Sequence, residues 1–224
     1  MLPWILLDTS SIPGDAGEMR LYQRGSEYSI RVGSYELMNS RLHGSEDALS
    51  SLVRERLGER KRARVLIGGL GMGFTLAAVL KDFGRDAEVV VSELVPAVVA
   101  WHRGALRVVS GEALDDARVT VREVDVAQII RTEPAAYDAI LLDVDNGPSG
   151  LTARANDRLY TLAGLRAAHA ALRPDGLLAV WSAGPDTAFT RRLQQAGFAV
   201  DEVRVRGHGK DRGPRYLIWI ARRA

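Results

Sequence analysis

The rhythm of apolar and polar positions changes near residue 60. Before it, Trp4–Asp8, Glu18–Arg24, Glu27–Val32 and Tyr35–Asn39 are short runs that alternate or are rich in β-formers. Gly14/Gly17, Gly25/Ser26 and Gly33/Ser34 punctuate them, which predicts antiparallel hairpins. A helix is expected from about Glu46 to Leu57, with Ser45 as its N-cap and positions 49, 52, 53 and 57 on one apolar face. From Arg64 onward strand-like and helix-like stretches alternate, as in a mostly parallel sheet. The strands are expected at 64–68, 87–92, 118–124, 138–143 and 176–181, closed by an antiparallel pair at roughly 199–206 and 215–222. The predicted architecture is therefore α/β and doubly wound, with seven strands in the main sheet. A small β-hairpin region spans 1–45 and the main domain spans 46–224.

The chemistry concentrates where strands end. Val65-Leu66-Ile67 runs into Gly68-Gly69-Leu70-Gly71-Met72-Gly73, and a helix-compatible apolar run begins at Leu76. This is a strand, a tight turn and a helix start. Gly69, Gly71 and Gly73 allow a sharp bend and a close approach by a ligand, and the helix offers free N–H groups to a polar or anionic one. Twenty residues beyond Gly73, the strand Glu88–Ser92 delivers Glu93, placed to accept both hydroxyls of a ribose. The plainer role for Glu93 is to fasten the next helix, which Pro96 in its first turn suits.

Elimination narrows the ligand. A dinucleotide turn needs a small residue where Phe74 stands, and no Gly-Lys-Ser or Gly-Lys-Thr of a phosphate loop occurs. The Gly-x-Gly-x-Gly turn of enzymes that bind S-adenosylmethionine or its relatives remains. Composition fits a compact cytoplasmic enzyme: 224 residues, 46% hydrophobic, and a net charge of +2 that gives no case for nucleic acid. The absence of cysteine removes disulfides and thiolate chemistry, and the four scattered histidines show no metal-ligand spacing, so no metal is expected. The apolar N-terminal run is stopped by Asp8 and is too short to span a membrane.

Two further acids close strands. Asp125 follows the third and can either accept from an adenine amine or cap the helix that begins at Val126. Asp143 follows the almost wholly apolar fourth strand, and Asp145 and Asn146 stand in the turn after it. This cluster at the mouth of the sheet can bind a cationic substrate or remove a proton; its plainer reading is an ordinary turn. Arg41, His43 and Glu46 read first as an exposed polar helix start, with covering the site as the other role. Tyr160 reads as a packed helix residue, Trp181 as core, and Arg204–Arg215 as a solvated hairpin tip.

Tyr137-Asp-Ala-Ile-Leu-Leu-Asp143-Val-Asp145-Asn-Gly-Pro148 resembles the catalytic-loop segment of the spermidine synthases. Val65–Leu76 is similar to their glycine-rich turn, Val91-Ser-Glu93 to their ribose-binding acid and Asp125-Val-Ala to their adenine-binding acid, and the likeness runs over roughly residues 18–185. It implies a class I methyltransferase-type sheet, a nucleoside cofactor held by Gly69, Gly71, Gly73, Glu93 and Asp125, Asp143 as the base toward an amine, and a homodimer. There are departures. Met72 stands where the family has the aspartate that meets the amino group of decarboxylated S-adenosylmethionine, and the family's later Tyr-Pro-Ser-Gly-type segment has no counterpart. With that anion gone, a cofactor that keeps its carboxylate can face the helix N-terminus without repulsion. The expectation is therefore methyl transfer from S-adenosylmethionine to a small-molecule acceptor, with Asp143 as base and Asp145 and Asn146 positioning the acceptor. The alternatives are aminopropyl transfer from the decarboxylated cofactor to a polyamine, and a non-catalytic nucleoside-binding protein.

Overall fold

A computed structural model describes residues 2–14, 17–41, 43–144, 157–208 and 212–223. Four N-terminal strands, β1 (Ile5–Ser11), β2 (Glu18–Arg24), β3 (Glu27–Val32) and β4 (Tyr35–Asn39), pair in chain order as an antiparallel meander. The alternation that marked β2 and β3 buries Leu21, Tyr28 and Ile30. These pack in the same apolar cluster as Leu49 and Val53 of α1 (Gly44–Leu57) and Val65 and Ile67 of β5 (Arg64–Gly68). One core thus holds the meander against the main sheet, which brings β4 over the mouth of β5.

The main sheet adds β6 (Glu88–Ser92), β7 (Val119–Arg122), β8 (Tyr137–Leu142), β9 (Leu172–Ser182), β10 (Phe198–His208) and β11 (Arg212–Arg223). Its order is β10-β11-β9-β8-β5-β6-β7. The strands from β9 to β7 pair in parallel, and β11 runs antiparallel to both of its neighbours. This is the seven-stranded, mostly parallel sheet the sequence predicts. Along β5, Val65 and Ile67 enter one apolar cluster with α2 (Phe74–Asp82) and α3 (Pro96–Arg103). Leu66 enters the other, with α5 (Val126–Thr132), α7 (Leu162–Ala171) and α8 (Thr187–Gln195). Both faces are covered, so a parallel strand reads as unbroken apolar sequence. Two single-turn helices, α4 (Arg107–Ser110) and α6 (Asp157–Tyr160), complete the set.

The chain leaves β5 toward β6 and β7, then crosses back to β8 and β9. The carboxyl ends of β5 and β8 therefore flank the point where strand order reverses, the crevice in which open α/β sheets hold ligands. Two local expectations need correction. Helix α1 starts at Gly44 after His43, and Ser45 is no cap, because its hydroxyl donates to Glu46 instead. Strand β9 begins four residues early: Leu172 already pairs with Tyr137, an irregularity at Asp175 (φ 59°) follows, and Leu177 then resumes the register with Ala139. The Pro174-Asp175-Gly176 sequence reads as a turn, yet it bends within a continuing strand. Among the described residues no helix is long and apolar enough to cross a membrane.

Candidate functional site

The site assembles where β5, β6 and β8 end. The Asp143 N–H donates to the Gly68 carbonyl at 3.0 Å, extending the pairing of Gly68 with Leu142. Gly69 follows with φ 89°, and a Cβ there would lie 2.6 Å from the carbonyl oxygen of Asp143. Glycine is required at 69 by its own backbone and by the strand end pressed against it. Gly73, the N-cap of α2 at φ 80°, is enclosed from the other side: a Cβ would meet Ser110 at 2.8 Å and His102 at 2.9 Å. His102 supports the turn from behind, with Nε2 2.8 Å from the Gly71 carbonyl oxygen and Nδ1 2.8 Å from Ser110 Oγ. A carbonyl only accepts, so Nε2 carries the proton, and burial lowers the ring's pKa, which favours the neutral Nε2–H tautomer.

Glu93 is buried, and its two carboxylate oxygens accept from Leu70 N–H at 2.9 Å and Val95 N–H at 2.8 Å. Val95 precedes α3, so the helix-fastening role is real. The bond to Leu70 adds something the linear sequence does not display, since the acid also pins the glycine turn. Asp125 caps α5 by accepting from Ala127 N–H at 2.8 Å. Both acids nevertheless line one apolar cavity, together with Gly69, Gly71, Val126 and Asp143.

A second cavity opens beyond Gly71. Leu37, Met38, Gly71 and Asp143 line both spaces. The second one adds Glu36 and Asn39 from β4, Glu46 from the first turn of α1, Met72 and Phe74 from the turn and α2, Trp181 from β9 and Tyr216 from β11. Among the described residues neither cavity is lined by a lysine or an arginine. Asp143 Oδ2 accepts from Thr75 Oγ1–H at 2.6 Å, so the first turn of α2 orients the carboxylate. Burial, and then the neighbouring Asp143 carboxylate, push Glu46 up to about 7, against the opposing hydrogen bond from Ser45. An unfolded glutamate titrates near 4.5. The folded chain therefore holds a proton in the window from 4.5 to about 7 that the unfolded chain has lost, and Glu46's contribution to stability declines as pH climbs through it. The rings of Trp181 and Tyr216 lie 4.9 Å apart, and burial together with Glu46 raises the Tyr216 hydroxyl's pKa.

Of the residues singled out in the sequence, Gly69, Gly71, Glu93, Asp125 and Asp143 come together in this crevice, whereas Gly73 caps α2 behind the turn and lines neither cavity. Asp145 and Asn146 lie outside the described residues. Tyr160 is core, edge-on to Phe189. Arg41 and His43 keep to the surface: Arg41 lies 3.8 Å from Glu36, and His43 bonds Asp47 at 3.0 Å and packs on Phe74. Glu46 departs from the exposed-helix-start reading by facing the second cavity, and Trp181 lines it as well as packing. Sequence reasoning missed Glu36 and Tyr216. Period two would set Glu36 and Met38 on one side, but β4 breaks register between them, Met38 pairing with Ile30 and Glu36 with Arg31, so no local signal marks Glu36, and none marks Tyr216. The stretch expected as a hairpin tip is largely strand, since β10 runs to His208 and β11 starts at Arg212.

Chemically, the first cavity suits a flat ring with hydroxyl and amine donors, and the second suits ammonium groups on hydrocarbon chains. Asp143 can accept a proton from a nucleophile in the second aimed at a ligand in the first.

No family model matches the chain. Among curated proteins it is 32% identical over 164 residues to the polyamine aminopropyltransferase of Mycobacterium tuberculosis (strain CDC 1551 / Oshkosh), covering 69% of this chain and 30% of that one. It is 28% identical over 196 residues to polyamine aminopropyltransferase 1 of Streptomyces coelicolor, covering 84% and 34%. The chain thus spans about a third of the length of these curated relatives. Among solved structures, the spermidine synthase of Thermotoga maritima superposes with a TM-score of 0.77 at 18% identity, over 98% of this chain and 73% of that one. A spermidine synthase in complex with the transition state analogue AdoDATO gives 0.76 at 18%, over 98% and 72%. At that identity these two structures establish the fold.

The relatives overturn the expectation of methyl transfer from S-adenosylmethionine, since they are aminopropyltransferases. The physical reason lies in the second cavity. Met72 removes one acid from a wall that retains Glu36, Glu46 and Asp143, and a cofactor carboxylate would meet repulsion there that a single substitution does not relieve. Sequence and fold agree that the chain belongs to the spermidine synthase-like family, built on the class I methyltransferase-type sheet.

Proposed function

We propose that the chain is an aminopropyltransferase that uses decarboxylated S-adenosylmethionine and a diamine or polyamine acceptor. The observation that carries this reading is the position of Asp143, which lines both the apolar cavity containing Glu93 and Asp125 and the acidic, aromatic one beside it. The turn fits such a cofactor: Gly69 and Gly71 line the cavity with bare backbone, and Glu93 and Asp125 present acceptors to ribose and adenine. When bound, the cofactor would supply a propyl carbon whose bond to the sulfonium sulfur breaks as the acceptor nitrogen bonds to it, methylthioadenosine being the leaving group. The chain's residues hold that carbon in line with the acceptor, which is catalysis by orientation. Asp143 takes the proton that the acceptor's ammonium must lose before its nitrogen can attack. Asp145 and Asn146 complete the acceptor end in this reading, and residues 46–224 form the catalytic domain behind the 1–45 hairpin region.

Calorimetric titration tests it. The decarboxylated cofactor is expected to bind at least about tenfold more tightly than S-adenosylmethionine, the effect of one charge-assisted contact replaced by a repulsion. Equal affinity for the two, or binding of neither, would refute the assignment.

We further infer a homodimer. β1 is an edge strand, and Leu2, Ile5 and Leu6 are 68%, 60% and 50% exposed. A second copy laid along this edge would cover the apolar side chains and pair the open backbone groups. Sedimentation velocity should give twice the mass of one chain for the wild type and one mass for Ile5→Lys/Leu6→Lys. A monomeric wild type at enzyme working concentrations would dispose of the idea.

A further inference from the structure

If the site works as an aminopropyltransferase, the terminal ammonium of the cofactor's propyl arm needs a counter-ion. The turn itself provides none, because the residue between Gly71 and Gly73 is Met72, buried to 3% exposure. Three carboxylates line the cavity into which the arm would pass, and their partners separate them. Glu36 is already engaged: Ser29 and Asn39 donate to it at 2.7 and 2.8 Å, and the guanidinium groups of Arg31 and Arg41 stand at 3.9 and 3.8 Å. Asp143 is held by Thr75 at the junction of the two cavities, where the acceptor's proton must go. Glu46 accepts one side-chain hydrogen bond, from Ser45, and has no cationic partner within ion-pair distance among the described residues. It lines the same cavity as Gly71 and Met72, the end of the turn past which an arm leaving the nucleoside cavity would run.

We infer that Glu46 is the specificity-determining counter-ion for the ammonium at the end of the cofactor's aminopropyl arm, carried by α1 in place of an acid in the glycine turn. This rests on the aminopropyltransferase reading and deepens it. A carboxylate at this point attracts the ammonium and repels the carboxyl group of the undecarboxylated cofactor, so one residue sets the preference between the two. The groups facing Glu46 are Asp143 after β8, Glu36 on β4, Tyr216 on β11, and His43 and Ser45 beside it at the start of α1. Burial and then Asp143 stand against ionisation of Glu46, while Ser45 and His43 favour it. An arriving ammonium would tip that balance, and Glu46 would release its proton on binding.

The test compares the wild type with Glu46→Gln, which keeps the shape and removes the charge. Decarboxylated S-adenosylmethionine should bind the variant about ten- to a hundredfold more weakly, while methylthioadenosine, which carries the same nucleoside with no ammonium arm, should bind both proteins equally. In the wild type, titrations near pH 7 in buffers of different ionisation enthalpy should show net proton release on binding, because burial and Asp143 push Glu46 up to about 7. The variant should show none. Adding Met72→Asp to Glu46→Gln should restore affinity by returning an acid to the turn. The inference is overturned if the variant keeps full affinity for the decarboxylated cofactor, if methylthioadenosine weakens in parallel, or if the acceptor amine is what loses affinity. A wild type that binds methylthioadenosine but not the decarboxylated cofactor refutes the underlying reading, and this inference with it.

Discussion

Replacing Asp143 by asparagine is expected to lower kcat for aminopropyl transfer by about a hundred- to a thousandfold, in the range found for loss of a general base, while leaving methylthioadenosine affinity within twofold. The amide oxygen of the replacement can still accept from Thr75 Oγ1–H, so the 2.6 Å contact that orients the wild-type side chain has a substitute and the fold should not change. What disappears is the capacity to take a proton. The acceptor enters as an ammonium, with a pKa near that of lysine, about 10.4, and an ammonium has no lone pair with which to attack. The residual rate of the variant should therefore rise about tenfold per pH unit between 7 and 9, as solvent deprotonates the amine in place of the enzyme. The wild type should be much flatter over that range. A variant with normal kcat, or one whose rate ignores pH, would remove Asp143 from the reaction as its base.

The two halves of the site differ in how far the sequence discloses them. The first cavity, proposed to hold the nucleoside, is written locally. Val65–Gly73, Glu88–Glu93 and Tyr137–Asp143 are each an apolar strand followed at once by the functional residue, and the parallel sheet then brings three consecutive strand ends together. The second cavity is not local. Glu36, Glu46, Trp181 and Tyr216 belong to a meander strand, a helix start and two strands at the far side of the sheet, and they meet only because β4 lies over β5 and β11 inserts beside β9. Each alone reads as a surface acid or a core aromatic. The choice between methyl and aminopropyl transfer fails for the same reason. It weighs Met72, visible in the motif, against acids whose proximity to it is a property of the fold, and the field in a cavity is a sum over all its charges. Ser45 illustrates the smaller version: its side chain finds Glu46 rather than the backbone N–H groups a cap would satisfy.

Glu93→Gln should produce the second large effect, and here turn and ligand are affected together. The wild-type carboxylate accepts from Leu70 N–H and Val95 N–H, one on each oxygen, at 2.9 and 2.8 Å. A glutamine presents one oxygen and one NH2 group to these two donors, so one backbone N–H must face another donor in a buried place. The expected cost is about 1–3 kcal/mol of stability, the desolvation penalty of an unsatisfied buried group, read as a lower denaturation midpoint with an unchanged slope in urea. The ligand loses more. A carboxylate carries its charge on two equivalent accepting oxygens that ribose hydroxyls can reach, whereas the glutamine offers a single uncharged oxygen. Two charge-assisted bonds at about 1.5 kcal/mol each amount to roughly a hundredfold in affinity. Methylthioadenosine and the decarboxylated cofactor should weaken by the same factor, because they share the ribose. This separates Glu93 from Glu46, whose removal should affect only the ligand with an ammonium arm. A deoxyribose analogue lacking the 2′-hydroxyl should narrow the gap between wild type and variant; if the gap stays as wide, Glu93 serves the turn and not the sugar.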